Sequence, residues 1–417
     1  QSVAVAPMAS VQDNGKRAPS AWGREHGRYS RYVGNSVRDA VELDYAWEQA
    51  ETEVLVRLSA SMAPSHLSKR LLGDGSYEDL PAAPAADTVE NLFQPLTTAQ
   101  AEGVAPATPG RGRYMLAQPY APGVQPLSAV AEGKLSLDEF MAQLSDSALI
   151  HLLGGQPNVG VSNTFGLGNL PEYGVPNLTT ADGPAGLRIQ PEVGVCTTAW
   201  PCATLLAASW DPELTAQVGA AAAAEVKENN ISVWLAPAVN IHRSPLCGRN
   251  FEYWSEDPLL TGKLAGAMVR GIQSQNIAAT VKHFACNNKE TNRKYSDSRL
   301  SQRALREIYL KAFEIIVREE QPWAIMSSYN VINGQRASES RELLTTILRE
   351  EWGYAGLVMS DWWTRGEHYK ELLAGNDLKM ANGYPERVEE TVRLGAVSRS
   401  DLETCARRVL ELILKID

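Results

Sequence analysis

From about residue 133 onward, short apolar or β-branched runs ending in polar residues alternate with stretches of helical period. The runs are residues 177–182, 231–240, 277–283, 323–330, 356–361 and 376–380. Between them lie amphipathic stripes. Ser136-Leu-Asp-Glu139 is a capping box that opens a helix with Leu137, Phe140, Met141, Leu144 and Ala148 as apolar positions. Residues 304–318 place Leu305, Ile308, Ala312 and Ile315 on one face, and Leu343, Leu344, Ile347 and Leu348 line another helix. A final helix over 402–416 turns Val409, Leu410 and Ile413 inward. Strands alternating with helices predict parallel βαβ units. The expected fold is therefore α/β, a (β/α)8-type, TIM-like barrel over residues 133–417.

The first 60 residues follow a different pattern. Residues 28–34 are aromatic-rich and end in the turn signal Gly34-Asn35, and 41–43 and 52–58 alternate in part. This is too little sheet to bury a core of its own, so it is expected to be the end of a larger β domain or to pack on one. Between the two regions, residues 61–132 read as a linker or wrapping segment, with eight prolines in 81–127.

Composition narrows the possibilities. A net charge of −10 disfavours nucleic-acid binding, which rests on cationic neutralisation of phosphates. No stretch approaches the roughly 20 apolar residues of a membrane helix. The five cysteines form no CxxC pair. Cys196 and Cys202 are a candidate bridge in an oxidising compartment; otherwise all five are free thiols, as in a reducing cytoplasm. A cytoplasmic location is the expectation. Secretion stays open, because the sequence starts at Gln1 without an initiator methionine.

The chemistry gathers at the ends of the apolar runs. Residues 356–363 form an apolar strand that ends in a carboxylate, Asp361, followed by Trp362 and Trp363. Taken alone, this is a strand whose Asp caps the next helix. In a parallel barrel, however, reacting groups sit at the C-terminal strand ends, and Asp182, Lys282, His283, Tyr329 and Asp361 all fall there. A buried strand that delivers one acid beside flat aromatic walls is what a sugar-cleaving nucleophile needs, and Lys282 nearby would favour its ionised form. The loop 247–258 adds Arg249, with Glu252 or Glu256 as ion-pair partner and donors left over for vicinal hydroxyls or a carboxylate. Asn287, Glu290 and Arg293 either line the same pocket or brace it.

Five motifs in one order carry a resemblance: Asp182-Gly-Pro-Ala-Gly-Leu-Arg188, Gly248-Arg-Asn-Phe-Glu252 with Ser255-Glu-Asp-Pro258, Lys282-His-Phe284, Met326-Ser-Ser-Tyr329 and Ser360-Asp-Trp362. Together they resemble the catalytic barrel of glycoside hydrolase family 3, across residues 133–417. The resemblance implies a retaining β-glucosidase that releases terminal β-D-glucosyl residues through a covalent glycosyl-aspartate and uses neither metal nor cofactor. It implies Asp361 as nucleophile and Asp182, Arg249, Lys282 and His283 as hydrogen-bonding groups for the sugar. Met326, Tyr329 and Trp362 would shape and wall the site. It also implies a non-proline cis peptide at or beside Lys282–His283.

Retention needs a second carboxyl about 5 Å from the first, and none stands out in this chain. In glucosidase-type members it is a glutamate on an α/β-sandwich domain. The N-acetylglucosaminidase branch instead keeps a Gly-His-Gly loop, which residues 285–289 lack. Residues 29–39 resemble the closing strands of the family's fibronectin-III-like domain, here preceding the barrel as in members with permuted domain order. The expected partner is therefore a second polypeptide segment that carries the sandwich and the acid/base glutamate; homo-oligomerisation stays open. Three alternatives remain: a carbohydrate-binding protein without turnover, a glycosidase for xylose or galactose, and a metal-dependent barrel using Asp182, His242, His283 and Asp361.

Overall fold

The computed structural model describes residues 9–12, 20–36, 38–59, 62, 69–71, 76–79 and 120–416. Most of the Pro-rich stretch lies outside the described residues. Contacts divide the chain into two compact units: residues 1–89 with 299–308, and residues 90–298 with 309–417.

The larger unit is a TIM-barrel-like α/β fold whose parallel sheet forms a curled half-barrel. Its strands run in the order Thr180–Ala181, Val233–Trp234, Ala278–Phe284, Ala324–Ser327 and Leu357–Ser360, each parallel to its neighbour. Two isolated bridges extend the ladder, Met359 to Leu378 and Lys379 to Gly154. The described ladder thus has five strands and two bridge positions where eight strands are expected from the sequence. All five strands are buried along their whole length. This explains why they read as continuous apolar runs and not as alternating ones. The run 231–240 forms only a two-residue strand because the ladder is interrupted after Trp234, where Ala236 N bonds back to Trp234 O at 2.8 Å. Pairing resumes where Ala238 bridges Lys282.

Most of the helical stripes hold. Leu343, Leu344, Ile347 and Leu348 are fully buried, as are Val409 and Leu410 of the helix Arg399–Ile416. Two expectations are corrected. The capping box at Ser136 forms, but its helix ends at Ala142; Ser145 then caps a second helix, Asp146–Leu152, by accepting from Ala148 N. Ile308 is exposed although it falls on the apolar stripe of 304–318. A π-type segment, Leu305–Tyr309, rotates the residues there away from strict helical period.

A buried carboxylate ties the helices to the sheet. Asp377 Oδ2 accepts from Val358 N at 2.8 Å and from Arg349 Nη2 at 2.6 Å, and its Oδ1 accepts from Arg408 Nη1 at 2.6 Å. The strand Leu357–Ser360 is thereby joined to the helices Glu342–Glu351 and Arg399–Ile416.

In the smaller unit Ser10–Gln12, Ala21–Arg24 and Glu53–Arg57 form one antiparallel sheet, and Gly27–Val33 pairs with Val41–Gln49. Val41, Leu43, Tyr45 and Trp47 alternate with Glu42, Asp44, Ala46 and Glu48 along that last strand. The register sets Tyr29 opposite Trp47 and Val33 opposite Val41, so one face of the hairpin is apolar. That face is exposed among the described residues: Val41 is 68% accessible and Tyr45 54%.

Asp377→Ala leaves Arg349 buried beside an empty position. A loss of about 3–5 kcal/mol is expected, the range for removing one partner of a buried ion pair. A fall in the urea midpoint without a change in m checks it.

Candidate active site

The sheet delivers the side chains. Lys282 and His283 stand at the end of the strand Ala278–Phe284, Met326 near the end of Ala324–Ser327, and Asp361 directly after Leu357–Ser360. Asp182 follows Thr180–Ala181, where the chain turns at Gly183 with φ +109°. A Cβ at Gly183 would lie 1.9 Å from Gly186 O, so that turn requires glycine. Asn240 fixes the backbone of His283 from both sides: its Oδ1 accepts from His283 N and its Nδ2 donates to His283 O, each at 2.9 Å. The Lys282–His283 and Phe284–Ala285 peptides are cis.

All eight residues singled out from the sequence line one cavity of about 530 Å³: Asp182, Arg249, Lys282, His283, Met326, Tyr329, Asp361 and Trp362. Glu290 and Arg293 line it as well, with Arg293 Nη1 donating to Glu290 at 3.2 Å. Asn287 braces the wall by donating to Tyr253 Oη at 3.2 Å. His242 is placed elsewhere. Its Nε2 faces the carbonyls of Asn250 and Tyr253, both at 3.0 Å, which removes it from a shared ligand set with Asp361.

The charges are paired in a definite way. Arg249 Nε donates to Glu252, so Glu252 and not the exposed Glu256 is its partner. Lys282 Nζ donates to Asp182 Oδ1 at 2.6 Å and lies 4.0 Å from Glu252 Oε2. Arg188 reaches the other oxygen of Asp182 at 3.2 Å. Burial opposes ionisation of Asp182, but the Lys282 ammonium, the Gly183 N–H and Arg188 together outweigh it and hold the carboxyl at about 2.

His283 is neutral. Burial, reinforced by the positive charges of Arg249 and Lys282, pushes its pKa well below the ordinary value. Arg249 Nη2 lies 2.9 Å from His283 Nε2. A guanidinium only donates, so Nε2 is the acceptor and the ring proton sits on Nδ1, toward Tyr253 Oη at 3.4 Å.

Asp361 is the uncommitted carboxylate. Its Oδ1 accepts from Trp362 N at 2.7 Å. Its buried Oδ2 has no hydrogen-bond partner among the described residues and lies 3.7 Å from His283 Nε2. Burial raises its pKa, partly offset by Arg249, the Trp362 N–H, Lys282 and the Tyr329 hydroxyl. Tyr329 Oη beside it donates to Trp362 O at 2.7 Å. The cavity therefore offers a nucleophilic oxygen beside cationic donors and a carboxylate acceptor, a set suited to a ring of hydroxyls.

These motifs have counterparts in known proteins. Residues 170–412 match the glycosyl hydrolase family 3 N-terminal domain. The chain belongs to glycosyl hydrolase family 3. It is 55% identical over 403 residues to beta-glucosidase A of Butyrivibrio fibrisolvens, covering 95% of this chain and 48% of that protein. The solved beta-glucosidase of Paenibacillus barengoltzii aligns with a TM-score of 0.79 at 36% identity, over 98% of this chain and 47% of the other. Beta-glucosidase 3B of Thermotoga neapolitana, solved in complex with glucose, gives a TM-score of 0.63 at 42% identity, over 67% of this chain and 42% of its own. The family 3 chain thus spans about half the length of these relatives.

The aromatic wall of the cavity extends beyond Trp362. Phe165, Phe251 and Trp363 line its mouth; Phe165 packs edge-on against Trp363 at 5.9 Å between ring centroids. Trp363 is half exposed and has φ +53°, unusual for so bulky a residue. The pair of tryptophans after Asp361 was its signal in the sequence. Phe165 lies outside every apolar run and left none.

With a raised Asp361, a reaction that needs its ionised form is lost as pH falls through that pKa. The acid limb of kcat/KM is expected above the ordinary aspartate range. Arg249→Met removes a charge that favours the carboxylate and should move the limb higher, while binding weakens. A pH–rate profile of both proteins measures it.

Proposed function

We propose that this chain carries the sugar-binding and nucleophilic half of a retaining β-glucosidase. The observation that carries the reading is the buried Oδ2 of Asp361, without a hydrogen-bond partner among the described residues, at a cavity also lined by Asp182, Arg249, Lys282 and His283. In the proposed reaction Asp361 attacks the anomeric carbon of a terminal β-D-glucosyl residue and the aglycone leaves. Water then hydrolyses the glycosyl-aspartate with net retention. Asp182 accepts hydrogen bonds from sugar hydroxyls; Arg249 and Lys282 donate to them. Met326 and Tyr329 shape the ring pocket, and Trp362 walls it. The glucose complex of the Thermotoga relative supports the choice of sugar.

The acid/base carboxyl is assigned in this proposal to a further α/β-sandwich segment, either of a longer polypeptide or of a second chain. Two observations support it: the relatives are about twice the length of the matched region, and the apolar hairpin face of Val33, Val41, Leu43, Tyr45 and Trp47 is exposed among the described residues. The same reading takes the hairpin unit as the end of a fibronectin-III-like domain whose other strands cover that face.

Asp361→Asn is expected to abolish turnover of 2,4-dinitrophenyl β-glucoside, by about 10⁴-fold or more, while glucose binding persists. Azide added to Asp361→Gly should restore cleavage and give α-glucosyl azide. Azide rescue without that product would remove Asp361 from the role.

The 417-residue chain alone should cleave the dinitrophenyl glucoside far better than cellobiose, because only the second leaving group needs a proton. Equal efficiency on both would place the acid within this chain, with Glu290 the first candidate.

A further inference from the structure

Behind the cavity, outside its lining, lies a buried ion pair that the proposed reaction does not use. Lys379 and Glu371 are 2% and 0% exposed and meet at 2.6 Å. Every donor of the ammonium is spent. Lys379 Nζ donates to Glu371 Oε2, to Thr364 Oγ1 at 2.9 Å and to Gly366 O at 2.9 Å. Glu371 Oε1 in turn accepts from Thr364 Oγ1 at 2.7 Å and from Ser338 Oγ at 2.6 Å. Two of these partners, Thr364 and Gly366, belong to the loop that begins at Asp361 and carries Trp362 and Trp363. The fit is close: a Cβ on Gly366 would come within 2.2 Å of Glu371 Oε1. On its cavity side the same loop is held by Asp361 N to Ser327 O at 3.1 Å, Tyr329 Oη to Trp362 O, and Trp363 N to Met380 O at 2.9 Å. Lys379 and Met380 are consecutive, so one short stretch holds the loop at Trp363, Thr364 and Gly366.

A buried ion pair is weak evidence for stability, because desolvation consumes most of the attraction between its charges. Its directional bonds are a better guide to its role. We propose that Lys379 and Glu371 are positioning residues that, through Thr364 and Gly366, fix the loop after Asp361 and with it the aim of the nucleophile and of Trp362. This rests on the reading of Asp361 as the nucleophile.

Three variants test it on the whole enzyme. Thr364→Val keeps volume and ion pair but cuts the tie at Thr364. Thr364→Ser keeps the hydroxyl. The double variant Lys379→Met/Glu371→Gln removes both charges and leaves the interior neutral. The readouts are the rate of labelling by 2,4-dinitrophenyl 2-deoxy-2-fluoro-β-D-glucoside, amide exchange over residues 362–367, and Tm. Labelling by Thr364→Val and by the double variant should fall about tenfold or more, the scale of a small misplacement of reacting groups. Exchange in 362–367 should rise, and Thr364→Ser should restore both. A folded Thr364→Val with wild-type labelling overturns the proposal, as does slowed labelling with unchanged exchange. If the double variant does not fold, Thr364→Val decides alone. Should the wild-type label lie on another residue, the nucleophile reading fails, while the exchange measurement still reports whether the pair holds the loop.

Discussion

The cavity is organised by how its buried charges are shared. Arg249 is bound to Glu252 and Lys282 to Asp182, so each cation already has its own carboxylate. Asp361 lies in their field without being bonded to either through Oδ2. A direct salt bridge would keep Asp361 ionised but occupy the oxygen a nucleophile needs. Without nearby cations, burial would protonate it. The arrangement found here supplies positive potential and leaves the oxygen open. The neutral His283 completes it, because its Nε2 spends an Arg249 donor that would otherwise be free to reach Asp361.

That sharing requires side chains from four parts of the chain to be placed within ångströms, and the parallel sheet does this. Adjacent strands put Lys282 beside Met326 and Met326 beside Met359 in register. The ends of neighbouring strands therefore open onto the same face. Fixed points behind them resist displacement: Asn240 on the backbone of His283, Asp377 on Val358, and the Lys379–Glu371 pair on the loop beyond Asp361. Each is a buried polar group whose loss would leave partners unsatisfied, so each is costly to loosen.

Much of this was legible in the sequence because fully buried strands write themselves as apolar runs with a polar residue at the tip. The runs ending in Asp182, Lys282-His283 and Asp361 lead to one cavity, and the Arg249 loop joins them. What was not legible depends on contacts far apart in sequence. Glu252 and Glu256 are equivalent partners for Arg249 on paper; only the turn of the loop buries the first and exposes the second. The single helix expected after Ser136 is two, because a capping serine at 145 outweighs a continuous apolar stripe. Ile308 faces outward because a π-type segment breaks the period on which the stripe was counted. Phe165 enters the cavity wall from a stretch with no periodicity at all.

The most direct test is to find which side chain forms the covalent bond. The enzyme is labelled with a 2-deoxy-2-fluoro-β-glucoside bearing a good leaving group, digested and sequenced by mass spectrometry. One fluoroglucosyl unit on the peptide containing Asp361, fragmenting to that aspartate, is the predicted result. The same label on Glu290 or Glu367 would contradict it.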